Sequence, residues 1–240
     1  MFRMVVGFLG LAVCLFFPGN GNADVVFSES FEGATNQFAQ TSNNYNALYT
    51  TGWTNSGPTG SGSKFFYGGP GGAGTTSFTT ANFNILTSTL TSAKIDAGLG
   101  QYSFSSWFSR YYGDPDYATL QLQFKNSSGN NVGSLITIGG VNFIPTITNN
   151  KYNWNQDLNS GAIPVGATQA AMTILSTGAA GGDRDGYADL VSLDVVAVPE
   201  PGTLLLGGIA AACGGGGVWW KRRKRDFRKI PDPARETVSG

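Results

Sequence analysis

Along residues 24–197 apolar and polar positions alternate in short runs instead of recurring every three or four residues. In YATLQLQFK, Leu120, Leu122 and Phe124 alternate with Gln121, Gln123 and Lys125. That period of two places one face of a strand on a core and the other toward water. LVSLDVV repeats it with Val191, Leu193 and Val195. The runs DVVFSESF, KFFYGG, TTSFT, STLTSAKID, QYSFSSWFS, VGSLITI and QAAMTILST also read as strands. Between runs lie NSSGNN, GGDRDG and GGPGGAG, whose residues supply turn chemistry. About nine short strands at this spacing predict an all-β body, an antiparallel β-sandwich of the jelly-roll type. In GDRDG the spacing of a calcium-binding EF-hand loop is missing, so Asp185-Gly186 reads as a hairpin turn.

Two longer apolar runs flank this body. At the N-terminus Arg3 precedes the apolar run Val5–Phe17, Pro18-Gly19 breaks it, and Gly21 and Ala23 are small. This order predicts a secretory signal peptide over residues 1–23, cleaved after Ala23. At the other end, residues 203–220 are uncharged and would reach about 27 Å as a helix, close to the ~30 Å of a hydrocarbon core. Trp219 and Trp220 close that run, and Lys221, Arg222, Arg223, Lys224 and Arg225 follow. Indoles gather at the interface and basic clusters stay on the cytoplasmic side. The expected topology is one transmembrane helix, a body outside, and a cytoplasmic tail over residues 226–240.

Charge sharpens the division. The net charge of zero conceals six Lys/Arg against twelve Asp/Glu between Asp24 and Glu200, and eight against three after Trp220. A mildly acidic body argues against a nucleic-acid partner, whose phosphates need neutralising. The chain has no histidine, which removes His-based acid–base pairs, nucleophiles and metal ligands. Cys14 and Cys213 sit in the two apolar end segments, so the body has neither a disulfide framework nor thiolate chemistry. Carboxylate catalysis would fall to Asp114 with Asp116 or to Asp183 with Asp185, but loop acids of this kind are ordinarily solvated. The expectation is a protein that is not an enzyme.

The stretch VPEPGTLLLGGIAA, followed by WWKRRKR, resembles the PEP-CTERM sorting signal of Gram-negative bacteria. Pro199, Glu200 and Pro201 form its triplet and Lys221–Arg225 its basic cluster, so residues 198–225 act as the sorting segment. The resemblance implies recognition by exosortase, a membrane-embedded protease or transpeptidase. It also implies delivery from a membrane-anchored precursor to the cell surface or extracellular matrix. Each proline removes an N–H and favours extended backbone before it, which presets the triplet as a strand for a protease to bind.

Within the body, SESFEG and DGYADLVSLDV resemble the first and last strands of galactose-binding-like jelly rolls, including carbohydrate-binding modules. That resemblance implies a structural calcium shared by Glu32 and Asp189, an ion suited to carboxylates and backbone carbonyls. The residues themselves point to a ligand loop. SSWFSRYYGDPDY gathers Arg110, Tyr111, Tyr112, Asp114 and Tyr117 around Gly113 and Pro115, which shape a loop rather than a strand. Aromatic faces with short polar neighbours suit stacking on sugar rings, so polysaccharide is the expected ligand. Trp53, Trp107 and Trp154 are read as core aromatics. The alternative is an envelope or matrix component without a specific ligand.

Overall fold

The computed structural model describes residues 22–33, 36–38, 46–48, 51–179 and 182–199. In it the alternation of the longest runs becomes burial. β6 (Gly100–Arg110) buries Tyr102, Phe104 and Phe108, and β7 (Tyr117–Lys125) buries Leu120, Leu122 and Phe124. β12 (Gln169–Gly178) adds Met172 and Ile174, and β13 (Gly186–Ala197) adds Val191, Leu193 and Val195. Each such side chain contributes about 1.5–3 kcal/mol when fully withdrawn from water.

Nine more strands complete the set among the described residues, in chain order. They are β1 (Asp24–Glu29), β2 (Asn46–Leu48), β3 (Lys64–Tyr67), β4 (Gly74–Thr79) and β5 (Phe83–Asn84). After β7 come β8 (Ile136–Gly139), β9 (Ile147–Thr148), β10 (Lys151–Tyr152) and β11 (Asn155–Ala162). One sheet runs β11-β6-β13, and both β1 and β3 pair with the far edge of β13, with β2 beyond β3. The facing sheet runs β8-β7-β12, and both β4 and β5 pair with the far edge of β12. All the pairings are antiparallel. The order 1-13-6-11 facing 4/5-12-7-8 is that of a jelly roll, as the strand pattern predicts. Its core joins Phe27, Phe66, Phe104 and Leu193 of one sheet to Leu122, Phe124 and Ile174 of the other.

Three local expectations are corrected. STLTSAKID is not a strand: Ser92–Asp96 forms a short helix, α1, with the Thr91 side chain accepting from Lys94 N–H as its cap and Ile95 buried. Thr and Ile favour strands weakly, whereas a cap and one buried anchor suffice for a single turn. NQDLNSGA, with no apolar alternation, is nonetheless β11, an edge strand laddered to β6 from Asn155↔Phe108 to Ala162↔Gln101. And Asp185-Gly186 is not a hairpin tip, because Gly186 already stands in β13 opposite Arg110. Among the described residues no helix is long and apolar enough to cross a membrane. The expected signal peptide up to residue 21 and the expected sorting segment from Glu200 onward lie outside the described residues.

A second aromatic cluster covers the outer side of the β13-containing sheet. Phe65, Trp154 and Tyr187 are buried there, with Trp53, Tyr67 and Trp107 packed against them. Trp154 Nε1 donates to Thr54 Oγ1 at 3.1 Å, which fastens residues 51–63 over the cluster. The three tryptophans therefore serve packing, as the sequence reading has it, but on the outside of a sheet instead of between the two.

Candidate functional site

The connections after β3, β6 and β12 meet at one end of the sandwich. Gly68 N–H donates to Arg184 O at 2.9 Å, Arg184 N–H to Gly69 O at 3.0 Å, and Tyr111 N–H to Asp185 O at 3.2 Å. The Arg184 guanidinium also donates to Pro70 O and Gly71 O, so the GGPGGAG loop closes around an arginine.

On this end Tyr111 and Tyr112 stand 45% exposed. Tyr112 leans on Tyr152 of β10, with ring centroids 6.2 Å apart at 49°. Arg110 differs from the expected outward projection: it is buried, its guanidinium 4.5 Å from the Tyr152 ring centroid and its Nη2 donating to Tyr152 Oη at 2.9 Å. An arginine at the end of a core strand is sequestered most cheaply by an aromatic face and a hydroxyl. It therefore steadies the tyrosine pair from behind. Tyr152 has no strand alternation around it, and only the fold places it here.

Both acids of DPD converge with the second acid of DRD. Asp114, Asp116 and Asp185 each present a carboxylate oxygen within 4.8 Å of the others. Asp116 is fully buried: Oδ1 accepts from Ala179 N–H at 2.8 Å and Oδ2 from Asp185 N–H at 2.9 Å. Asp185 is pushed up to about 6, first by burial and then by the charges of Asp183, Asp116 and Asp114, while the Tyr187 hydroxyl bond opposes the rise. Burial, then the charge of Asp116 and a hydrogen bond with it, raises Asp114 as well. Burial, followed by the Asp185 charge, holds Tyr187 above the usual phenol range. A cation could be held by three acids so placed, but it would compete with two backbone N–H groups for Asp116. Nor can Asp116 act on a substrate, since both its oxygens face inward to the chain. The arrangement fits a proton-sharing clasp between two loops.

Of the other sequence-derived residues, Tyr117 begins β7, half-buried beside Thr177. Glu32 accepts from Ser63 N–H, Ser63 Oγ–H and Lys64 N–H, bracing the segment after β1 against β3. Asp189 is buried, accepts from Leu190 N–H at 2.7 Å, and stands at a register shift in β13. Neither belongs to the group of three acids. Glu29, from the same SESFEG run, is the buried glutamate there, accepting from Phe31 N–H and Gln37 N–H. Pro199 is exposed at the end of the described chain.

The outer face of the β7-containing sheet carries a second, polar surface. Gln121, Gln123 and Lys125 point outward beside Thr79 and Thr173, whose hydroxyls bond at 2.8 Å, and border a cavity of about 300 Å³. Its signal lay in the sequence as the polar half of the YATLQLQFK alternation.

No protein-family model matches the chain, and no curated protein matches it. Among solved structures it is similar to the enzymatically active domain of bacteriophage CBA120 tailspike protein 4, at 16% identity and a TM-score of 0.37, over 55% of this chain. It spans only 15% of the tailspike chain. It is also similar to the CBM22-1 xylan-binding domain from Paenibacillus barcinonensis Xyn10C, at 10% identity and a TM-score of 0.35, over 74% of this chain and 97% of that one. A third is carbohydrate binding module CBM6cm-2 from Cellvibrio mixtus lichenase 5A, solved with cellotriose. It has 15% identity and a TM-score of 0.35 over 73% of this chain and all of that one.

Proposed function

We propose that the body is a non-catalytic glycan-binding β-sandwich that meets polysaccharide at the β6–β7 end. The observation behind this reading is the pair Tyr111 and Tyr112, exposed on a braced end with Tyr152 and Arg110 behind. Rings held rigidly at a surface lose little freedom on stacking against a sugar, and half-buried carboxylates nearby can accept its hydroxyls. Stacking of one ring is worth about 0.5–1.5 kcal/mol beyond area burial. Tyr111→Ala with Tyr112→Ala should therefore weaken binding to the organism's own exopolysaccharide roughly five- to hundredfold. Both rings lie outside the core, so the melting temperature should change little. Gln121→Ala with Gln123→Ala is the companion variant. Loss of binding in it alone would move the site to the sheet face, and a wild type that binds no glycan would leave an inert matrix component.

The second half of the proposal is delivery. The apolar segments, the Pro199–Glu200–Pro201 triplet and the basic cluster support secretion, transient anchoring and exosortase processing. Intact mass of the mature protein should show loss of residues 1–23 and a cut near the triplet. Replacing the triplet with alanines should leave the uncut precursor in the membrane, and an unchanged mature mass would refute the sorting role. A calcium at Glu32 and Asp189 remains part of this reading, and it requires chelation to lower the melting temperature of the wild-type body.

A further inference from the structure

Six cationic side chains lie between Asp24 and Pro199, and five have protein acceptors or an aromatic face. Lys64 Nζ donates to Glu32 O, Lys94 to Thr89 O, Lys125 to Gly129 O and Asn131, Arg110 to Tyr152, and Arg184 to Pro70 and Gly71. Lys151 is the exception: among the described residues its ammonium has no acceptor. It lies over Gly52, 3.6 Å from where a Cβ would stand.

That ammonium borders an open cavity of about 490 Å³ on the outer side of the first sheet. The other walls are Thr54, Asn55, Ser56 and Ser61 with three glycines, so among the described residues no apolar side chain and no carboxylate lines it. Glu32 sits behind Gly62 and is already engaged by Ser63 and Lys64. The walls are also braced: Asn55 N–H donates to Tyr152 O at 3.2 Å, and the Asn55 amide bonds Thr148 O, Lys151 O and Asn153 Oδ1. Hydroxyls and amides around a single cation match a ring of hydroxyls bearing a single carboxylate. The volume falls in the range of ligand pockets and far exceeds what one small ion or water fills. Lys151 and Tyr152 are consecutive in β10, so one hairpin walls this cavity and backs the exposed tyrosines.

We propose that this cavity binds a uronic acid residue, with Lys151 Nζ donating to the sugar carboxylate and Thr54, Asn55, Ser56 and Ser61 meeting its hydroxyls. This rests on the glycan-binding reading and narrows it to acidic polysaccharide. The probes are an oligogalacturonate and its carboxyl-reduced counterpart, titrated into the body. Wild type should bind the acidic oligomer about tenfold tighter or more, the scale of one charge-assisted hydrogen bond. Lys151→Met keeps the aliphatic stem and should erase that margin without changing affinity for the reduced oligomer, and Lys151→Arg should restore it. Equal wild-type affinities, or a margin that survives in Lys151→Met, would overturn the uronate site while leaving glycan binding intact. Failure to bind either oligomer would overturn the uronate site, while the glycan-binding reading would still be decided by binding to the organism's own exopolysaccharide. Inorganic sulfate displacing the oligomer as well as free galacturonate does would reduce the cavity to a bare anion site and overturn the assignment.

Discussion

Gly186→Ala should be among the most damaging single substitutions in the body, lowering stability by more than about 4 kcal/mol. A Cβ at Gly186 would fall on the carbonyl carbon and oxygen of Tyr117 and the amide nitrogen of Ala118, well inside van der Waals contact. Overpacking against side chains costs about 1–3 kcal/mol because rotamers can give way. Here the obstacle is the backbone of β7 where it starts the opposite sheet, and no rotamer relieves it. Gly182 is the control: the space around its Cβ is open, so Gly182→Ala should be neutral or stabilise by up to about 1 kcal/mol through the unfolded chain. Urea denaturation of both variants makes the comparison. A Gly186→Ala midpoint close to wild type would show that the two sheets part more readily at this end than their packing implies.

Asp116→Ala should cost about 1–3 kcal/mol, because it empties a buried carboxylate site and removes the acceptor of the Ala179 and Asp185 N–H groups at once, both in part-buried hydrogen bonds that water can replace in part. Part of that loss returns, since the Asp116 charge also works against Asp114 and Asp185. The same cluster sets a pH dependence whose sign is unusual for carboxylates. Asp185 is near 6 folded and about 4 unfolded, so between those values the folded state holds the extra proton. Stability from this group is present below pH ~4 and lost as pH rises through about 6. Full sequestration would make that about 3 kcal/mol, and partial solvent access screens it to about 1. Asp114 is raised too and acts in the same direction. Asp24, lowered by hydrogen bonds from Thr87 and Thr89, acts below this window. Wild-type stability should therefore decline from pH 4 to 6, and the decline should flatten in Asp116→Ala. A rise over that interval would mean the three acids are not coupled as their geometry has them.

What the sequence by itself determined is what nearest neighbours along the chain can encode. Leu120, Leu122 and Phe124 against Gln121, Gln123 and Lys125 are enough to say which side of β7 meets a core, because a strand alternates faces whatever it pairs with. The same holds for Val191, Leu193 and Val195, and it sufficed for the fold class. Composition likewise removed histidine and body-thiol chemistry without reference to shape. β11 was illegible because an edge strand needs only a backbone ladder, and β6 supplies it to NQDLNSGA regardless of side chains. α1 was misread because its cap and its buried Ile95 outweigh local strand preference. The tyrosines were legible as exposed loop residues, while the burial of Arg110 depends on Tyr152, forty-two positions away in sequence. Only the tertiary structure could join Asp116 to Asp185, or set Lys151 beside a polar cavity with no acceptor among the described residues. Those relations arise where loops from different strand pairs cross between sheets, and hydrophobic alternation has no term for which loops will meet.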